Sequence, residues 1–302
     1  MGMVEERSAT NWGRWGDDDE RGALNLLTPD VVLAATKVCK TGKVYHLGLP
    51  VQREGMPVFD YRGAPQRLTL MNQADPGQFE AYGAPPDLGA NEDVLVLASH
   101  SITHMDALCH VYAGGSLYNG FPADSFRTNA GAPYCGIEKV KGIAGRAVLL
   151  DLPRHAGVDW LEPGQLVTAD DLAACAAAQG VEIRRGDILL VRTGYLDFFF
   201  SLKGAPAPFE QPGIGLDAAE FVHDHDVAAI GCDNSAVEVI PFDRNEFLAV
   251  HVRLLVQLGV PFLEHLNLAD LAADGVHESL FVVGPLLVTG GTGSPVNPIA
   301  IG

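Results

Sequence analysis

What this 302-residue sequence lacks narrows its role before any motif is read. It lacks positive charge: 20 Lys and Arg stand against 38 Asp and Glu, a formal net charge of −18. No basic run of five or more residues interrupts that balance. Such a surface repels a phosphate backbone and an anionic membrane face, so neither nucleic acid nor a membrane is an expected partner. Long hydrophobic runs are missing too. The apolar stretches are about strand length, far short of the ~18–20 residues of a membrane span. The opening "MGMVEERSATNWGRWGDDDE" holds no apolar segment of the signal-peptide kind. Cysteine is scarce and scattered: Cys39, Cys109, Cys135, Cys175 and Cys232 form no CxxC pair. That pattern fits a reducing compartment, expected to be the cytoplasm, and excludes a thiolate zinc site.

Several reactive-site signatures are absent as well. "GGTGSPVNP" (290–298) resembles a phosphate-cradling loop but has neither a Walker Lys nor GxGxxG. Ser235, in "DNSAVE", lacks the G-x-S-x-G context of a nucleophile elbow. "DDDE" (17–20) lacks EF-hand spacing. His223 and His225, in "HDHD", would diverge by ~200° on a helix and read as a solvated face.

What is present is an apolar fraction of 47% and an alternation of strand-like and helix-like segments. "DVLVLAS" (93–99), "RAVLLDL" (146–152), "DILLVRTG" (187–194), "VAAIGCD" (227–233) and "LFVVGPLLVTG" (280–290) read as strands. Their near-continuous apolar character suits strands buried on both faces. Helices are expected over 168–180, 216–226 and 246–259, the first with a Thr cap, acidic first turn and terminal Gly. Residues 50–92, rich in Gly, Pro and Gln, read as long surface loops. No repeat or low-complexity linker divides the chain, so residues 1–302 are expected to form one mixed α/β domain, with 1–30 as an extension packing on the body or on a partner subunit.

The densest chemistry lies in "HSITHMDALCH": His100, His104, Asp106 and His110 within eleven residues. A strand would point 100, 104 and 106 to one face, with His104 and Asp106 ~7 Å apart and able to share an ion. His100 would then lie ~13 Å from His104, so the segment has to bend for all three to converge. Two imidazoles and a carboxylate suit Zn²⁺, Mn²⁺ or Fe²⁺. His110 fits either a ligand or a general base.

These residues resemble the signature H-x-G-T-H-x-D-x-P-x-H of the cyclase family of metal-dependent hydrolases, which includes bacterial kynurenine formamidase and isatin hydrolase. "WGRWGDDDERGALNLLTP", "HVRLLVQLGVPFLEHLNL" and "GGTGSPVNPIAI" resemble further segments of that family, so the likeness spans nearly the whole chain. Ile102 and Leu108 stand where the signature has Gly and Pro, and Asn297 where many relatives carry Arg. The resemblance implies metal ligation by His100, His104, Asp106, His251 and Glu264, with His110 as the catalytic histidine. Taken alone, His251 reads as a core residue of a helix, and Glu264 as an ion-pair or capping residue. Trp12 and Trp15 are candidate walls of an aryl pocket, and Asn297 a candidate substrate contact.

The resemblance further implies a swivelling β/β/α fold with a partly barrel-like sheet and flanking helices, assembled as a homodimer or homotetramer. The expected function is hydrolysis of a small amide, cyclic amide or imide, aryl formamide or lactone, with one or two Zn²⁺ or Mn²⁺ per chain. The alternatives are an isomerase or dehydratase that uses the ion to stabilise an enolate, and a non-catalytic metal-binding relative.

Overall fold

The most apolar segments of the sequence form the middle of a nine-stranded sheet. In the computed structural model, which describes residues 10–75 and 77–302, the strands are β1 (Val44–His46), β2 (Gln66–Met71), β3 (Glu92–Val96), β4 (His104–Asp106), β5 (Ile143–Asp151), β6 (Leu166–Val167) and β7 (Ile188–Arg192). They continue as β8 (Gly213–Ile214), β9 (Ala229–Cys232), β10 (Phe262–Glu264), β11 (Glu278–Val283), β12 (Gly293–Pro295) and β13 (Ile299–Ile301). The helices are α1 (Pro29–Ala35), α2 (Leu152–Ala156), α3 (Ala169–Gln179), α4 (Tyr195–Ser201), α5 (Leu216–Asp224), α6 (Ala249–His251) and α7 (Ala269–Ala273).

The main sheet runs β1-β13-β11-β5-β7-β9-β10-β4-β12 and curls into a half-barrel, giving one mixed α/β domain. β5, β7, β9 and β10 are parallel neighbours, and antiparallel pairs extend the sheet on both sides. β9 is buried along its whole length, as an apolar strand covered on both faces should be. Helices between the parallel strands supply that cover. α3 starts in a reciprocal cap: the Thr168 side chain accepts from the Asp171 amide, and the Asp171 carboxylate accepts from the Thr168 amide. Gly180, left-handed, closes it. No helix among the described residues is long and apolar enough to cross a membrane.

Four expectations are corrected. The strand read through 93–99 into the histidines is broken: β3 pairs with β2 in a separate two-stranded ribbon, and only His104–Asp106 joins the main sheet. Residues 99–103 turn between them. The stretch 50–92 is largely exposed, yet it contributes β2 to that ribbon. The strand read over 280–290 stops at Val283, because Gly284 and Pro285 follow and Pro has no N–H for the ladder. The helix read over 246–259 begins only at Ala249, after Leu248 takes a left-handed conformation, and from Val252 to Leu258 it widens into a π-helix.

The described N-terminal residues cap that wide helix. Its last carbonyls have no partners within the helix. The Asn11 amide and side chain donate to the Gln257 and Leu258 carbonyls at 3.0 and 2.9 Å, and the Ala23 amide to Gly259 at 2.8 Å. A Cβ on Gly22 would lie 2.1 Å from the Gly259 carbonyl oxygen, so the close approach requires glycine.

Candidate metal centre

β4 sets the site. His104 and Asp106, two residues apart, share one face of the sheet. β10 pairs antiparallel with β4 and places Glu264 directly opposite His104, hence on the same face. β12 pairs on the other side and puts Gly293 opposite Asp106. A Cβ on Gly293 would lie 2.5 Å from Cε1 of His100, so this glycine makes room for the His100 ring. The bend that returns His100 to the cluster uses ordinary dihedrals: buried Ile102 is not among the residues with positive φ. The family's glycine at that position is therefore dispensable for the turn.

The bend brings the His100 and His104 rings to 5.1 Å between centroids. His100 Nδ1 lies 2.7 Å from Asp106 Oδ1, and its Nε2 lies 3.1 Å from Thr292 Oγ1. The half-buried His110 follows β4, its amide donating to the Ala107 carbonyl at 2.9 Å. Its ring stacks on His100 at 3.9 Å and lies 6.5 Å from the His251 ring. His251 comes from α6.

Two imidazoles share one orientation. Nδ1 of His104 is 2.5 Å from the Ile102 carbonyl, which can only accept, so that nitrogen carries the hydrogen. The ring then turns Nε2 towards Glu264 Oε2 at 3.1 Å and Asp106 Oδ1 at 3.5 Å. His251 repeats the pattern. Its Nδ1 is held by Glu238, and its Nε2 lies 3.6 Å from Glu264 Oε1 and 4.0 Å from Asp106 Oδ2. Neither His104 Nε2 nor Asp106 Oδ2 has a well-aligned hydrogen-bond partner, although both are buried. Two sets of potential ligand atoms, each within 4.8 Å of one another, share Asp106: one with His100 and His110, the other with His251 and Glu264. A cation placed among them would satisfy the orphaned atoms and offset the buried carboxylates, which are costly uncompensated. The N/O donor set suits a divalent transition metal.

The electrostatics show how strongly the buried carboxylates call for positive charge, which protons on the imidazoles or a cation can supply. Burial alone would raise Asp106, but the charges of His110 and His100 and the His100 hydrogen bond hold it far below the usual carboxylate range. Glu264, despite burial and the Asp106 charge, is held at about 2 by His104 and His251. Burial opposes protonation of His251, yet Glu238 and Glu264 outweigh it and raise the group to about 10. For His104 the contact with Glu264 likewise overcomes burial, and its pKa is raised. His110 goes the other way: burial lowers it to about 4, leaving it neutral at ordinary pH.

The chain folds so that His100, His104, Asp106, His110, His251 and Glu264 converge. The other three candidates are placed by different contacts. Trp12 donates its indole N–H to the Val256 carbonyl at 2.7 Å, as part of the helix cap. Trp15 packs against the core with Arg14 over its ring, 4.7 Å from the centroid. Asn297 is exposed beside Gly48.

The sequence reading passed over Glu238, which lies in the otherwise apolar "AVEVI" and is fully buried. A lone carboxylate in such a run was the available signal, since burial demands a partner. His265 was also passed over. Its Nε2 pairs with Ser235 Oγ at 2.7 Å, and burial and the His104 charge lower it to about 3.

Comparison with known proteins places this geometry in a group. The cyclase family model matches residues 45–239, which include the whole stretch from His100 to His110. A crystal structure of a novel cyclase is 35% identical and superposes with a TM-score of 0.86 over 97% of this chain and 98% of its own. A predicted metal-dependent hydrolase from Bacillus stearothermophilus is 23% identical, with a TM-score of 0.53 over 85% of this chain and 97% of its own. Isatin hydrolase A from Labrenzia aggregata, bound to benzyl benzoate, is 18% identical, with a TM-score of 0.62 over 88% of this chain and 94% of its own. These last two share the fold. No protein in the curated comparison set matches the sequence. With its family match over most of the chain and a relative alike from end to end, this protein belongs to the cyclase family.

Proposed function

We propose that the chain is a metal-dependent hydrolase that opens or cleaves a small amide, cyclic amide or imide, aryl formamide or lactone. The observation that carries this reading is the shared aim of His104 Nε2 and His251 Nε2 at Asp106 and Glu264. His100, His104, Asp106, His251 and Glu264 would hold the metal, Zn²⁺ or Mn²⁺, as one or two ions. When bound, such an ion polarises a carbonyl and makes a water acidic near neutral pH.

The protein's own groups do the rest. His110 Nε2 or Nδ1, kept unprotonated by burial, accepts the proton of the attacking water and passes it to the leaving nitrogen or oxygen. Glu238 fixes the His251 ring, so that Nδ1 keeps its hydrogen and Nε2 is the nitrogen that would exchange its proton for the metal. Apolar walls from the sheet keep bulk water from the buried carboxylates. Elemental analysis after mild purification, followed by assay of formanilide, isatin and an aryl lactone with and without chelator, tests the reading. It requires about one or two ions per chain and turnover lost in chelator. Full activity in a metal-free protein would overturn it.

A further inference from the structure

Arg62 stands apart from the convergent acids and histidines. It closes a short 3-10 turn, Asp60–Arg62, in the stretch between β1 and β2. Its guanidinium reaches over to the histidine segment, where Nη1 donates to the backbone carbonyl of His100. That is the residue whose ring stacks on His110 at 3.9 Å. The guanidinium carbon also lies 5.6 Å from the Phe59 ring centroid and 5.4 Å from that of Tyr61. Phe59 and Tyr61 stack on each other at 5.7 Å, and Phe59 meets Phe209 at 6.2 Å. Tyr61 and Phe209 are both more than half exposed.

Two features set this arginine apart from a simple latch. A guanidinium has five N–H donors, and one hydrogen bond to a carbonyl occupies one of them. The two rings hold the fork in place, so little rotamer entropy is lost when a ligand binds. Its setting also matters. The cluster below contains three buried carboxylates, Asp106, Glu238 and Glu264, in a chain of net charge −18. The charge of a metal bound there would be largely offset by these carboxylates, so an anionic substrate gains from a further fixed cation beside the site. Arg62 is a fixed, always-charged group at that margin, and the aromatic rings beside it offer a face for an aryl ring.

We infer that Arg62 is the specificity-determining residue of this site, reading a carboxylate on an aryl substrate while Phe59 and Phe209 receive the ring. The inference rests on the hydrolase reading for its substrate, but not for its binding chemistry. A planar carboxylate takes two parallel N–H bonds from a guanidinium, which an amide of the same shape cannot do with equal strength.

The test uses the metal-loaded full chain and two isosteric probes, benzoate and benzamide, titrated calorimetrically into wild type, Arg62→Gln and Arg62→Lys. Metal content and circular dichroism are measured for each. Wild type should bind benzoate more tightly than benzamide. Arg62→Gln should weaken benzoate by about 10–100-fold, the usual worth of a charge-assisted bond, and leave benzamide and metal content unchanged. Arg62→Lys, which keeps charge without the fork, should fall between them, and it carries the test if the Gln variant does not fold. Equal loss of both probes would make Arg62 a latch for its loop and overturn the inference. So would benzoate affinity that ignores the substitution, as a carboxylate bound only to the metal would show, or a wild type that does not bind benzoate. If benzoate binding depends on Arg62 but no formamide, lactone or imide is turned over, the carboxylate-reading role stands and the hydrolase reading fails. If neutral formanilide is hydrolysed while benzoate ignores Arg62, the hydrolase reading stands and the carboxylate-reading role fails.

Discussion

Glu238 and His251 are joined twice: the same carboxylate oxygen, Oε1, accepts from the His251 ring at Nδ1 and from its backbone amide at 3.4 Å. The other oxygen accepts from the Val250 amide at 3.3 Å. One carboxylate thus satisfies orphaned donors in the first turn of α6 and fixes the ring that the helix presents. The carboxylate is fully buried, so its charge acts on the ring with little screening.

Glu238→Gln should therefore weaken metal binding by about 10–100-fold, the usual effect of losing such an outer partner. Competition with a chromophoric chelator measures it. An unchanged affinity would show that the ring orientation is set by packing alone.

Asp106→Ala should lose both metal and turnover, since Asp106 belongs to both potential ligand sets. His110→Ala should keep most of the metal and lose turnover by about 10²–10⁴-fold, as for a general base. Paired elemental analysis and kcat separate the two. If His110→Ala empties the site, His110 is a ligand and the base lies elsewhere.

Trp12→Phe keeps the ring and removes the N–H that reaches the Val256 carbonyl. Stability should fall by about 1 kcal/mol, the worth of one hydrogen bond at a partly exposed side chain. Urea unfolding would show it as a lower midpoint at constant slope. Metal content should not change, because the cap lies beyond His251 along the helix.

Asp226 ties the N-terminal segment to the body through Arg14 at 2.6 Å, with Arg185 at 2.8 Å. The Arg14 hydrogen bond and the charges of both arginines hold its pKa below the ordinary value. A carboxylate lowered on folding adds stability above its unfolded pKa, and that stability is lost as pH falls through the folded value. Asp226→Asn should accordingly lower the melting temperature at pH 7, and the gap to wild type should shrink below about pH 4. A gap that grows on acidification would contradict this pairing.

The β2–β3 ribbon leaves Leu68, Val94 and Val96 exposed, and a two-stranded ribbon is marginal without cover. The homodimer or homotetramer that the family resemblance implies would cover it. Light scattering at micromolar concentration should give at least twice the 32.1 kDa chain mass, and Val94→Glu should lower it. A wild-type monomer would rule the assembly out.

The central strands were legible because their signal is local: strands covered on both faces must be apolar almost without interruption, as β9 is. The same holds for α3, whose Thr168 and Asp171 cap one another across three residues. The spacing of His104 and Asp106 also fixed their common face, since alternation along a strand is a property of the backbone itself. The sequence further required a bend before His104 if His100 was to take part, but not where or how. Tertiary structure decided that, through Gly293 on a strand almost two hundred residues away. It also decided that Glu264 stands opposite His104, because strand register depends on pairing partners and not on either strand alone. The break between β3 and β4 and the end of β11 at Gly284–Pro285 were masked by apolar runs that continue past the ladder. The role of Glu238 was invisible for a related reason. A buried carboxylate announces that it needs partners, but only the folded chain brings α6 to it.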